Sequence, residues 1–123
     1  MLKACLCAAA VALAAVGCNE ESPTDPADLP CATITIANNA VSPNAVTVSP
    51  GCRVLFVNSD SRSHQMSSDP HPEHTDCREI ESVGVLAPGR SAETGNLNTV
   101  RLCGFHDHLQ DQVASLKGTI TIR

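Results

Sequence analysis

The side chains with the most chemistry in this chain are five histidines and the sulfurs that lie among them, and they fall in two places. One is LCGFHDH at 102–108, where Cys103 is followed by His106 and His108 as an extended run gives way to a polar turn. The other holds His64, Met66, His71, His74 and Cys77. Soft thiolate and borderline imidazole close together favour copper or zinc over calcium or magnesium, which take oxygen donors. A loop that short offers two or three ligands. The remainder must come from the other block, because no histidine lies outside these two.

Donors so far apart in sequence need a rigid frame, and the intervening residues read as strands. Ala32–Ala37 alternates with Ile34 and Ile36 on one face and stops at Asn38-Asn39; Ala45–Val48 alternates again and stops at Pro50-Gly51. Residues 53–58, RVLFVN, are apolar on both faces, as in a central strand, and end in the turn-forming NSDS. Weaker strands are expected at 80–86 and 91–94, a better one at 99–103, and GTITIR at 118–123 closes the chain with clean alternation. Helical periodicity is absent apart from one turn's worth at 110–116. About seven short strands divided by turn residues predict an all-β sandwich. With Phe56 and Phe105 as the only aromatics, its core must be built mainly from Val, Ile, Leu and Ala.

The chain has 123 residues and a formal net charge of −5, enough for one domain with appendages. No dense basic cluster exists, so nucleic acid is not an expected partner. Residues 1–18 resemble a bacterial lipoprotein signal peptide: Lys3, an apolar run over 5–16 too short to span a bilayer, then Gly17 before Cys18, with Ala15 where Leu is commoner. That resemblance implies lipidation at Cys18 and a place in the cell envelope, on the periplasmic side or the cell surface. Residues 19–30, NEESPTDPADLP, are acidic and proline-rich with little to bury, a tether reaching about 35 Å if extended. Residues 31–123 remain as the folded domain.

The order of parts in 33–123 resembles the cupredoxins, the plastocyanin-like and azurin-like copper proteins. The matching pieces are Pro50-Gly51 before VLFVN, Asn58-Ser-Asp60 running to His64, Leu86-Ala-Pro-Gly89, then Cys103-x-x-His106 and a last GTITI strand. The resemblance implies a cupredoxin-like Greek-key β-sandwich that binds copper as Cu(I)/Cu(II) through His64, Cys103 and His106. It implies electron transfer or copper handling with a redox or copper-delivery protein as partner. Leu109, Gln110, Asp111 and Gln112 stand where that family usually has an axial methionine. Met66, His71, His74, Cys77 and His108 are donors beyond the family's pattern. If 64–66 is extended, Met66 points to the same side as His64 and offers a thioether.

Excluding Cys18, four cysteines follow the signal, and four permit three pairings. In a cupredoxin sandwich the strands opened by Cys31 and Cys52 are parallel neighbours, which implies a Cys31–Cys52 disulfide worth roughly 3 kcal/mol. Cys77 and Cys103 are left: both are involved with metal, or one, Cys103, is a thiolate ligand beside a free thiol, or the two form a second disulfide and the metal is held by histidine and methionine only. The residues leave these open.

Two other classes compete. Gly104-Phe-His-Asp-His108 is similar to the GFHxH signature of copper-zinc superoxide dismutases, but Asp107 replaces an apolar residue and the motif comes late in the chain. A metal-free structural sandwich would leave the clustering of all five histidines unexplained. The deaminase, HExxH and GxSxG signatures are absent or incomplete. The expected outcome for the amino terminus is direct: mass spectrometry of protein extracted from membranes should find Cys18 multiply acylated, since one chain alone anchors only marginally. An unmodified mature protein recovered wholly in the soluble fraction would refute it.

Overall fold

The computed structural model describes residues 29–123; Cys18, the signal region and nearly all of the tether lie outside the described residues. Among the described residues nine strands form: β1 (Ala32–Ala37), β2 (Ala40–Ser42), β3 (Ala45–Val48), β4 (Val54–Asn58), β5 (His64–Ser68), β6 (Val85–Leu86), β7 (Ser91–Glu93), β8 (Arg101–Asp107) and β9 (Gly118–Ile122). They make two sheets, ordered β2-β1-β4-β7 and β3-β9-β8-β5-β6. The β1–β4 and β3–β9 pairs are parallel and the others antiparallel.

The alternating Thr-Ile repeats at the two ends of the domain do the same work in opposite sheets. Ile34 and Ile36 of β1 and Ile120 and Ile122 of β9 are all buried, while the threonines between them face outward. The sheets meet at Phe56 of β4 and Phe105 of β8, packed edge to face with ring centroids 5.3 Å apart and planes at 86°. Cys31 and Cys52 form a disulfide with Cα atoms 5.7 Å apart, tying the approach to β1 to the approach to β4.

Three stretches differ from the pattern expected of them. Residues 80–86 are mostly a 3₁₀ helix, Arg78–Val83, followed by the two-residue β6. Its buried residues, Ile80 and Val83, are three apart, the repeat of a 3₁₀ helix, and Gly84 at φ 63° turns the chain out of it. The strand β5, HQMSS, was hidden by its polarity, yet His64, Met66, Ser67 and Ser68 are all buried. β8 also runs on through Asp107, four residues past the expected end at Cys103.

The NxD turn that leads into β5 is fixed by a buried asparagine. Asn58 Nδ2 donates to the carbonyls of Arg62 and Leu86 at 2.8 Å each, and its Oδ1 accepts from the Asp60 N–H at 2.9 Å. That network sets where β5 starts and so where His64 lies. Because Phe105 bridges both sheets, Phe105→Ala should cost about 3–5 kcal/mol in urea unfolding. A loss under about 1 kcal/mol would show that the sheets are held together elsewhere.

Candidate metal centre

β8 carries the donors on both its faces, because side chains alternate along a strand. Cys103, Phe105 and Asp107 form one row and are fully buried. Gly104 and His106 form the other row, and His108 follows at the start of a short 3₁₀ turn, His108–Gln110. Residues 69–77 come out of β5 and fold across this second row. The loop is attached at one end by the Asp69 N–H to the Gly104 carbonyl, 3.0 Å, and at the other by a Cys77–Cys103 disulfide. Inside it, the Asp76 N–H donates to the Asp69 carbonyl at 2.8 Å and the His74 N–H to the Pro70 carbonyl at 2.7 Å. His74 sits at φ 54°, a left-handed conformation that a residue with a Cβ adopts only when its surroundings impose it.

Loop and strand together bring four imidazoles into one group. His71, His74, His106 and His108 each offer a ring nitrogen, and these nitrogens all lie within 4.8 Å of one another. His74 Nε2 and His108 Nδ1 are already 3.1 Å apart. With metal–nitrogen bonds of about 2.0 Å, ligand nitrogens sit at most about 4 Å apart, so slight ring rotation closes the set. His106 is the anchor. Its ring is buried, Nδ1 is held by Asp69 Oδ1 at 2.6 Å, and Nε2 is buried with no partner. A carboxylate on one nitrogen fixes the tautomer that leaves the other as a lone-pair donor. A ring with a buried, unpartnered nitrogen, set among three other imidazoles at centroid distances of 5.2–6.4 Å, fits a metal ion, and a cleft of about 410 Å³ lies beside His71 and His106, lined also by Pro70, Gln112 and Lys117.

Gly104 makes the Asp69 contact feasible. A Cβ there would collide with the Asp69 carboxylate, so the strand accepts only glycine where that side chain lies across it. Burial lowers the His74 pKa below the ordinary 6.5, against the opposing pull of Glu81, which favours the neutral ring that a metal needs.

The expected trio of His64, Cys103 and His106 is not assembled. Cys103 and His106 are three apart on a continuous strand and so face opposite ways, and the Cys103 sulfur is bonded to Cys77. Of the three fates left open for Cys77 and Cys103, the structure has the disulfide. His64 lies on the inner side, where both ring nitrogens meet carboxylates: Nδ1 with Asp107 Oδ2 at 2.7 Å and Nε2 with Asp60 Oδ2 at 3.1 Å. Met66 is fully buried in the core, paired across the sheet with Asp107 of the inner row. His71, His74 and His108, expected as surplus donors, are three of the four that converge; Cys77 is in the disulfide. Sequence reading missed Asp69 and Gly104 and gave Asp60 and Asp107 no role. Asp107 lies between two histidines and Asp69 two before a third, which was the available signal.

The architecture has solved counterparts. A purple cupredoxin from Nitrosopumilus maritimus superposes with a TM-score of 0.58 at 18% identity, covering 75% of this chain and 99% of that one. The fold is cupredoxin-like. Oxidised plastocyanin from Dryopteris crassirhizoma gives 0.58 at 22% identity, covering 74% and 99%, and amicyanin from Paracoccus versutus gives 0.59 at 14%, covering 79% and 87%. No protein-family model and no curated protein matches the sequence. Within the cupredoxin-like fold, the side chain that β8 presents to His64 is Asp107.

Two replacements separate the inner and outer positions. His106→Ala should abolish tight stoichiometric metal binding in a calorimetric titration while the protein stays folded. His64→Ala should leave binding intact and cost roughly 3–5 kcal/mol of stability, since it strands a buried carboxylate. The reverse pattern would put the metal at His64.

Proposed function

We propose that this chain is a copper-binding protein of the cell envelope, anchored by lipid on Cys18, that handles copper through His71, His74, His106 and His108. The observation that carries this reading is the convergence of four imidazoles, one of them the buried His106 ring with an unpartnered nitrogen. Four neutral nitrogen donors suit copper and zinc, and the cupredoxin-like fold favours copper of the two. Bound copper supplies a centre able to pass between Cu(I) and Cu(II). The protein's own groups do the rest: Asp69 aims His106, burial keeps His74 neutral, and the disulfide holds the loop that carries His71 and His74 against β8.

Electron transfer is the second reading, favoured by the fold itself. It asks for a buried site with a thiolate, whereas the four cysteines of the described residues are in disulfides and His71 is exposed. Holding or passing on an ion at the surface fits that exposure, and a copper-delivery protein is the partner such a site would meet.

The Cu(II)-loaded protein should therefore be pale, with an EPR spectrum showing nitrogen couplings. Cys103→Ser should leave that spectrum nearly unchanged while costing about 2–4 kcal/mol of stability. An intense thiolate charge-transfer band lost in Cys103→Ser would refute the site. Because protons compete with copper for imidazole nitrogen, affinity should fall as pH is lowered. The depressed pKa of His74 means that this ligand stays available below 6.5.

A further inference from the structure

Four imidazoles bring no negative charge to an ion, so the groups behind them decide which charge the site holds best. Three of the four rings have a carboxylate there. Asp69 Oδ1 is 2.6 Å from His106 Nδ1, Glu81 Oε2 is 3.5 Å from His74 Nδ1, and Asp111 Oδ2 is 3.8 Å from His71 Nε2. His108 turns Nδ1 to His74 instead. Two of the carboxylates are fixed by the fold. Glu81 Oε1 accepts from the Ser68 N–H at 2.7 Å, and Asp69 lies in the space that Gly104 leaves. Soft donors are kept out: all four cysteines of the described residues are in disulfides, and Met66 is in the core.

We infer that this site selects the oxidised, divalent ion, Cu(II), over Cu(I), with Asp69, Glu81 and Asp111 as the anionic shell responsible. The inference rests on the copper reading above and narrows it. A neutral donor set adds no charge–charge attraction, whereas three carboxylates at one remove add one that is larger for the higher charge. Nitrogen donors without thiolate or thioether act in the same direction, since those sulfur ligands are the ones that favour Cu(I). Asp69 is a positioning residue in this scheme, because it acts through His106.

The test uses the mature protein, titrated with Cu(II) against a competing chelator and with Cu(I) anaerobically against a Cu(I) chelator. Bound copper should show a Cu(II)/Cu(I) potential below that of the aquo couple. Asp69→Asn and Asp111→Asn should each weaken Cu(II) about 10- to 100-fold and change Cu(I) affinity less than about threefold. The potential should rise by about 59 mV for each tenfold difference. Asp111→Asn keeps the test alive if Asp69→Asn misfolds. A potential at or above the aquo couple, or equal weakening of both ions in both variants, overturns the inference while leaving a copper site. Failure of both ions to bind the unmodified protein overturns the copper reading itself.

Discussion

The alternation of side chains along β8 governs both the core and the site. Its inner row, Cys103, Phe105 and Asp107, supplies a disulfide partner, the aromatic contact between sheets and the carboxylate that meets His64. Its outer row, Gly104 and His106, supplies the floor of the metal centre. A shift of one residue in the β5–β8 register, which pairs Ser67 with His106 and Ser68 with Phe105, would exchange the two rows. It would bury His106 among Ile and Phe side chains and expose Phe105. Fold and site are thus specified by the same register, and the hydrophobic row is what pins it.

The loop over the outer row is held before any ion arrives. Its two ends are attached to β8, its Pro70 and Pro72 have fixed φ angles, and backbone hydrogen bonds close it on itself. Ligands on such a segment lose little freedom on binding. The left-handed His74 belongs to the same logic, since a strained backbone persists only where neighbours over-determine it. Polar β5 follows too. Ser68 uses its hydroxyl to accept from the Cys77 N–H at 2.7 Å and its own N–H to hold Glu81, so a residue that weakens a strand by propensity serves the loop instead.

Much of the frame was legible in the sequence, because Thr-Ile alternation in β1 and β9 and the doubly apolar VLFVN report directly on which face is buried. The site was legible only in part. Spacing identified every donor that converges, but Cys103-x-x-His106 was read as a loop, where two residues three apart can reach one ion. Continued as a strand, the same spacing separates them. What hid that continuation is that Gly104, His106 and Asp107 are poor strand formers, retained there for contacts across the sheet that no local pattern reports. The 3₁₀ helix at Arg78–Val83 was missed because its apolar residues were read as a strand, although Ile80 and Val83, three apart, share one face of a 3₁₀ helix and would fall on opposite faces of a strand.

Hydrogen-bond satisfaction closes one histidine position to metal and leaves another open. His64 is fully buried with both nitrogens engaged, and its partners are themselves satisfied: Asp60 accepts from the Ser61 and Asn39 N–H groups, and Asp107 accepts from the Gln65 and Leu109 N–H groups at 3.0 Å each. Those amide contacts from Ser61 and Asn39 are the chief reason the Asp60 carboxyl stays below its usual pKa and charged. An ion entering there would have to displace a carboxylate from each side of the ring, leaving buried charges with fewer partners than they now have. His106 presents the opposite case. Among the described residues, the buried side-chain polar atoms without a partner are Ser67 Oγ, Arg101 Nε and His106 Nε2, and of these only the last is an imidazole donor. Ser67 stands directly across the sheet from it. A buried polar atom left unpaired costs free energy in the folded state, and an ion bound at Nε2 removes that cost, so the place where the fold is least satisfied is the place where metal binding and stability reinforce each other.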